Sequence, residues 1–106
     1  MTIKKLNDFL VSKDLETKIL GGALTFGMAV ESMRVGNETS QSDFANKLGV
    51  SRQYLCDVEK GRRLVSPEQA VKFAKAFKHP PVVFVQLAIQ DSIRAAGLKF
   101  KVSLIA

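Results

Sequence analysis

Two short helical patterns separated by a single glycine constrain the fold of this chain more than any other feature. The patterns cover residues 41–48 and 52–59, and Gly49 lies between them. Glycine adopts the left-handed conformation that ends many helices, because it has no Cβ. Ser40 and Ser51 precede the two patterns, where a hydroxyl oxygen can accept a hydrogen bond from the first turn. The stretch therefore predicts two helices joined by a tight turn.

The two predicted helices each have an apolar and a polar side, and small Ala45 lies where they approach each other. Their apolar residues recur at helical spacing and are expected in the core: Phe44, Leu48, Val50, Leu55 and Val58. The opposite side of the second helix carries polar residues: Arg52, Gln53, Tyr54 and Asp57. Arginine and glutamine on an exposed helix face can hydrogen-bond the edges of DNA bases, so this face predicts a contact with nucleic acid.

On these residues the chain resembles a known family. Residues 25–77 are similar to the helix-turn-helix domain of phage repressors and Cro proteins, called the XRE family. The matching residues in and after the two helices are Gln41, Ala45, Gly49, Val50, Ser51, Leu55, Glu59, Lys60, Gly61 and Arg62. Arg34 stands where family members carry an arginine that pairs with the glutamate after the recognition helix, so the resemblance implies an Arg34–Glu59 ion pair. It also implies sequence-specific binding of double-stranded DNA as a dimer, without indicating the sequence bound.

Charge agrees with this resemblance but does not establish it. The chain has 106 residues, enough for one core, and 16 Lys and Arg against 10 Asp and Glu give a net charge of +6. A basic surface attracts phosphates through counterion release, although many soluble proteins carry similar charge. Several basic residues lie on or beside the motif: Lys47, Arg52, Lys60, Arg62 and Arg63.

The wider pattern predicts a mainly α fold with extra N-terminal helices and a C-terminal β-strand, and the resemblance implies that its core is a five-helix λ-repressor-like unit. Three regions are expected, namely an N-terminal helical extension at 1–24, the DNA-binding domain at 25–78, and a C-terminal helix plus strand at 79–106. Thr25 and Ser66 are predicted to cap the first and fourth core helices. The core residues predicted for those helices are Met28, Ala29, Met33, Ala70, Phe73, Ala74 and Phe77.

The C-terminal region predicts dimerisation. Residues 98–104 alternate apolar and polar side chains, which is the pattern of a half-buried strand, and the sequence offers no convincing second strand to pair with it. The expected partner is the same strand of a second copy, and the alternative is a tail that packs on its own subunit or frays. The residues expected in the dimer interface are Val85, Ile89, Ile93, Phe100, Val102 and Leu104.

The motif suggests a role toward DNA for each polar residue. Base-reading side chains in the major groove are expected to be Arg52, Gln53, Tyr54 and Asp57. Phosphate-binding residues are expected to be Gln41, Ser51, Lys60, Arg62 and Arg63. Structural alternatives stay open, because Tyr54 could cover the core edge, Gln41 could simply start a helix, and Arg62 could be a solvated charge.

The resemblance implies a transcriptional repressor that binds a palindromic operator as a dimer and regulates its own operon. A more specific form is the antitoxin of a toxin–antitoxin pair. The amphipathic residues 1–22 are the candidate surface for a toxin, and the alternative is that this segment covers the core. The competing function is a protein-interaction adaptor that keeps the helix-turn-helix fold without specific DNA binding.

Enzymatic, metal and cofactor functions find little support in the sequence. The single cysteine, Cys56, and the single histidine, His79, are separated by a predicted helix, and no third group is evident to orient a catalytic pair. One cysteine excludes an internal disulfide and fits a reducing cytoplasm. The longest apolar run, residues 82–85, is too short to cross a membrane. We therefore expect no enzymatic activity, no metal, no cofactor and no membrane partner.

Overall fold

The computed structural model describes residues 24–105. Five α-helices lie in this range: α1 (Phe26–Gly36), α2 (Gln41–Leu48), α3 (Arg52–Glu59), α4 (Pro67–Ala76) and α5 (Pro81–Ala95). None of these helices is long and apolar enough to span a membrane. The predicted N-terminal helices, with the candidate toxin surface at residues 1–22, lie outside the described residues.

Hydroxyl caps set where the first four helices begin. The side chains of Thr25, Ser40, Ser51 and Ser66 each accept a backbone N–H from three residues later, at 3.0 or 3.1 Å, as the sequence predicted. Each cap satisfies an N–H that a helix start leaves unpaired and contributes about 1 kcal/mol. Gly49 ends α2 in the left-handed conformation, with φ +74°. Caps and glycine together fix the start of α3, and hence which of its sides faces outward.

A cluster of five phenylalanines forms the centre of the core. The rings of Phe44 and Phe77 stack with centroids 4.5 Å apart, and Phe26 meets Phe73 edge-on at 5.2 Å. Phe84 of α5 stacks on Phe77 at 5.8 Å. Such pairs stabilise a core by about 0.5–1.5 kcal/mol each beyond the burial of their area. Because the rings come from α1, α2, α4 and α5, the cluster joins the helix-turn-helix to the rest of the molecule.

A close approach of α1 to the end of α3 depends on a glycine. A Cβ atom at Gly27 would fall on the carbonyl oxygen of Val58 and 2.8 Å from that of Glu59. Both carbonyls belong to the main chain rather than to a flexible side chain, so a side chain at this position would push the two helices apart. The glycine thereby fixes the position of the C-terminal end of α3.

The prediction that Met28 lies in the core is wrong, because its side chain is 48% exposed. The buried positions of α1 recur every three or four residues from its first residue, and Met28 falls between them. They are Phe26, Ala29, Val30 and Met33. Ala29 and Met33 are buried as predicted, so the error is confined to Met28 in the first turn of α1.

The predicted C-terminal β-strand is not seen among the described residues. Residues 98–105, here called the C-terminal segment, follow α5 without pairing with another strand. An extended segment without a neighbouring strand needs other partners for its backbone groups. Two glutamine side chains of α5 supply the partners.

Gln90 and Gln86 bind the main chain of the C-terminal segment. The Gln90 amide nitrogen donates to the carbonyl of Phe100 at 2.9 Å, and its oxygen accepts the N–H of Val102 at 2.8 Å. The Gln86 oxygen accepts the N–H of Leu104 at 3.0 Å. A glutamine side chain carries both a donor and an acceptor, so it can replace a neighbouring strand for one residue pair. Gln90 is only 3% exposed.

Candidate nucleic-acid interface

The outer side of α3 presents the predicted base-reading residues. Arg52 and Gln53 are exposed, while Tyr54 and Asp57 are half-buried. Leu55, on the opposite side of the helix, has no exposed surface. Three of the four polar residues lie in the first turn, which is the part of a recognition helix that contacts bases.

Asp57 binds two of the predicted DNA-contacting side chains. Its Oδ1 accepts the Gln53 Nε2–H at 3.0 Å and the Arg62 Nε–H at 3.0 Å. A guanidinium nitrogen of Arg62 also lies 3.6 Å from the Cys56 sulfur. The hydrogen bond to Asp57 is the main cause that raises the pKa of Arg62, so the guanidinium stays charged. Arg52 has no hydrogen-bond partner among residues 24–105, and its side chain is free for a ligand.

The bond to Asp57 restricts what Gln53 can recognise. A carboxylate only accepts hydrogen bonds, so the amide nitrogen of Gln53 must face it, and one of its two N–H groups is used. The amide oxygen and the second N–H remain. This donor and acceptor match the N7 acceptor and N6 donor of adenine, whereas guanine would require both N–H groups.

The Glu59 side chain connects α1, α2 and α3. It accepts Nε–H and N–H bonds from Arg34 at 2.7 and 3.1 Å, which is the expected ion pair, and an N–H bond from Gln41 at 3.0 Å. Arg34 also donates to the carbonyl of Thr39 at 2.8 Å. The hydrogen bonding that Arg34 donates to Glu59 is the main cause that raises the pKa of Arg34. A single buried carboxylate thus sets the relative positions of α1, α2 and α3.

Gln41, predicted to bind phosphate, also has a structural contact. One of its two side-chain N–H groups binds Glu59, and no residue among those described takes up its backbone N–H. The first N–H groups of a helix, together with the helix dipole, attract phosphate. Gln41 can therefore contact a phosphate through its main chain while its side chain supports the motif.

The loop after α3 carries exposed basic side chains. Lys60, Arg62 and Arg63 are all exposed. The guanidinium carbon of Arg63 lies 4.8 Å from the centre of the Tyr54 ring, a cation–π contact. Tyr54 also packs partly against the core. The tyrosine therefore both covers the core edge and positions a cation beside α3.

Asp91 is a connecting residue that sequence reasoning missed. Its Oδ2 accepts the backbone N–H of Phe26 at 3.0 Å, and its Oδ1 accepts an N–H of Arg94 at 3.0 Å. Burial raises the pKa of the Asp91 carboxyl, with the two hydrogen-bond partners opposing that effect. Phe26 and Asp91 are 65 residues apart, so no local pattern could reveal the pair.

Comparison with known proteins supports the helix-turn-helix interpretation. A helix-turn-helix family model matches residues 30–84, more than half of the chain. Comparisons with curated proteins and with solved structures found no match. The matched range includes the Asp57 contacts, the Glu59 contacts and the basic loop. Within residues 24–105 no cluster of three or more His, Cys, Asp or Glu side chains could hold a metal ion.

Proposed function

Since this chain belongs to the XRE-type helix-turn-helix family of DNA-binding regulators, we propose that it represses its own operon by binding a palindromic operator as a dimer. The observation that carries the proposal is the exposed face of α3. Arg52 and Gln53 face solvent at the start of a helix whose opposite side is buried. A helix held by its inner side, with base-reading groups on its outer side, is suited to the major groove.

Base reading in this mechanism comes from the first turn of α3. Arg52 makes a bidentate contact to guanine, and Gln53 contacts adenine through its amide oxygen and remaining N–H. Asp57 acts as a positioning residue, because its bond to Gln53 selects the orientation of that amide. Tyr54 contributes an apolar edge that can meet a thymine methyl group.

Phosphate contacts hold the protein in register without reading sequence. The N-terminus of α2 at Gln41 and the Ser51 hydroxyl at the start of α3 bind phosphates along the groove. Lys60, Arg62 and Arg63 bind the adjoining backbone. In the dimer a two-fold axis relates the two recognition helices, so the operator is a palindrome, and the helices lie about 34 Å apart, one turn of DNA.

The proposal is tested by fluorescence anisotropy on the DNA immediately upstream of the gene, with random DNA as control, over a salt series. An operator-binding protein binds the upstream DNA more tightly than random DNA by about a thousandfold or more. Equal, salt-sensitive binding to both would overturn the proposal. That result would favour the adaptor function, in which the fold binds another protein.

Two substitutions separate base reading from phosphate binding. Gln53→Ala should weaken operator binding by about 1–3 kcal/mol and relax the preference at one base pair. Arg62→Ala should weaken binding to operator and random DNA alike and lower the salt slope by about one. Lys75→Ala, which removes the same charge from an exposed position of α4, is the charge-matched control. If Gln53→Ala and Arg62→Ala behave identically on both DNAs, the assigned roles are wrong.

The proposal extends to an antitoxin role, with a protein partner bound away from the α3 face. A shallow cavity of about 370 Å³ runs along α1, between Met28 and Val35. These two apolar side chains are 48% and 56% exposed, and protein partners commonly cover such surface. The product of the neighbouring gene should arrest growth alone and not when co-expressed with this protein. The double variant Met28→Glu, Val35→Glu should lose that protection and keep DNA binding. A harmless neighbouring gene would rule out the antitoxin role.

A further inference from the structure

The C-terminal segment has the features of half a two-stranded ribbon. We propose that it pairs antiparallel with the same segment of a second copy, in a register centred on Val102. This inference rests on the proposed function for the need of a dimer, and adds the surface and the register through which the dimer forms.

The hydrogen bonds to α5 indicate that the segment is extended. Gln90 and Gln86 are four residues apart, about 6 Å along a helix. Their oxygens accept the N–H groups of Val102 and Leu104, which in extended chain are about 6.6 Å apart. The two spacings match only if the segment runs extended and antiparallel to α5.

An extended segment has two backbone edges, and α5 uses one of them. Consecutive residues of a strand direct their N–H and C=O groups to opposite edges. The bonded groups belong to even-numbered residues: Phe100, Val102 and Leu104. The outer edge carries the backbone groups of Lys99, Lys101, Ser103 and Ile105, which make no hydrogen bond within residues 24–105. An open edge of this kind is a template for another strand.

A second copy fits this edge because an antiparallel pair is self-complementary about a two-fold axis. Centring the pair on Lys101 would set that lysine opposite itself, and like charges directly opposite are destabilising. Centring it on Ser103 would place the large ring of Phe100 opposite Ala106. Both registers lose favourable side-chain pairs.

The register centred on Val102 has neither fault. Val102 faces its own copy, Phe100 faces Leu104, and Lys101 faces Ser103. The backbone groups of Lys101 and Ser103 lie on the outer edge, so they form the hydrogen-bonded pairs of the ribbon. Phe100, which is 66% exposed in one copy, gains an apolar cross-strand partner.

Cysteine cross-linking without DNA tests the register. In a Cys56→Ser background, Val102→Cys brings two Cα atoms to about 4.5 Å, within disulfide reach. Lys101→Cys is the matched control, because its two Cα atoms lie diagonally at more than about 7 Å. With oxidised glutathione, the Val102→Cys protein should form a covalent dimer at least about tenfold faster. Faster cross-linking of Lys101→Cys, or equal slow cross-linking of both, would overturn the proposal.

A second variant removes the outer edge without adding a thiol. Ser103→Pro deletes an outer N–H in each copy, and extended backbone accepts proline there. The dimer dissociation constant, measured by light scattering over a concentration series, should rise by about thirtyfold for the two lost hydrogen bonds. Ser103→Ala keeps the N–H and should dimerise as the wild type does. A Ser103→Pro protein that dimerises as tightly as Ser103→Ala would contradict the pairing.

The outcome is separable from that of the proposed function. Operator preference with a monomeric wild-type protein would overturn the ribbon and leave the DNA-binding role intact. Cross-linking at Val102 in a protein that does not discriminate operator from random DNA would support the ribbon and overturn the repressor role.

Discussion

Glu59 and Gln90 are the two buried polar side chains among the described residues, at 5% and 3% exposure, and each organises a different region. Glu59 is charged and binds the side chains of Arg34 and Gln41 within the helix-turn-helix. Gln90 is neutral and binds main-chain atoms of the C-terminal segment. The first region is thus fixed by the identity of partner residues, and the second by backbone groups that every residue type except proline provides.

The difference determines how each region responds to mutation. A buried charge without its partner is costly, so the Glu59 contacts depend on all their members. A main-chain group released from Gln90 can turn to water, because the C-terminal segment is largely exposed. The helix-turn-helix is therefore rigid and sensitive, while the C-terminal segment can detach at a moderate cost.

The largest effect on stability is expected when Glu59 is removed and Arg34 loses its partner. Glu59→Ala should lower the free energy of unfolding by about 3–5 kcal/mol, because the half-buried guanidinium of Arg34 loses its countercharge. Urea denaturation followed by circular dichroism measures the change. The double variant Arg34→Met, Glu59→Leu should recover most of the loss, since it removes both charges. An equal loss in the double variant would mean that packing around Glu59, and not its charge, stabilises the motif.

A smaller loss of stability is expected when Gln90, the other buried polar side chain, is replaced. Gln90→Leu removes two hydrogen bonds and should lower the free energy of unfolding by about 1–2 kcal/mol. Amide hydrogen exchange should become fast at Val102 while α2 and α3 keep their protection. Gln86→Leu, which removes one bond, should affect Leu104 only. Lost protection in α3 on Gln90→Leu would show that the two regions are not independent.

The smallest effect on stability is expected at Asp57, whose contacts are exposed. Asp57→Ala should change the free energy of unfolding by less than about 0.5 kcal/mol. It should reduce the discrimination of adenine from guanine at the base pair read by Gln53 and tighten binding to random DNA, since a negative charge is lost. Asp57→Asn removes the charge and keeps an acceptor for Gln53, so it should retain more of the base preference. Unchanged base preference in Asp57→Ala would limit Asp57 to an electrostatic role.

The features that could be predicted from sequence depend mainly on residues close together in the chain. Ser40 and Ser51 cap helices because a hydroxyl stands before a helical pattern, and Gly49 takes the left-handed conformation for a local steric reason. The Arg34–Glu59 pair was anticipated through family resemblance, because the two residues lie 25 positions apart.

The features that escaped prediction depend on distant contacts. Gln90 lies among the apolar residues of α5, and nothing in the neighbouring sequence indicates that it binds residues 100 and 102. Met28 is apolar like a core residue, but it lies on the exposed side of α1. The role of Asp57 toward Gln53 follows their spacing of four, but which atom of the amide remains available is visible only in the structure.

Because Gln90 binds main-chain atoms, the side chains of the C-terminal segment are free to evolve. In the proposed ribbon, related regulators within one cell could exchange Phe100 and Leu104 for other complementary pairs and cease to form mixed dimers. Their attachment to α5 and their DNA preferences would be inherited unchanged. A duplicated gene could in this way acquire an independent regulatory circuit through a few substitutions at its 3′ end.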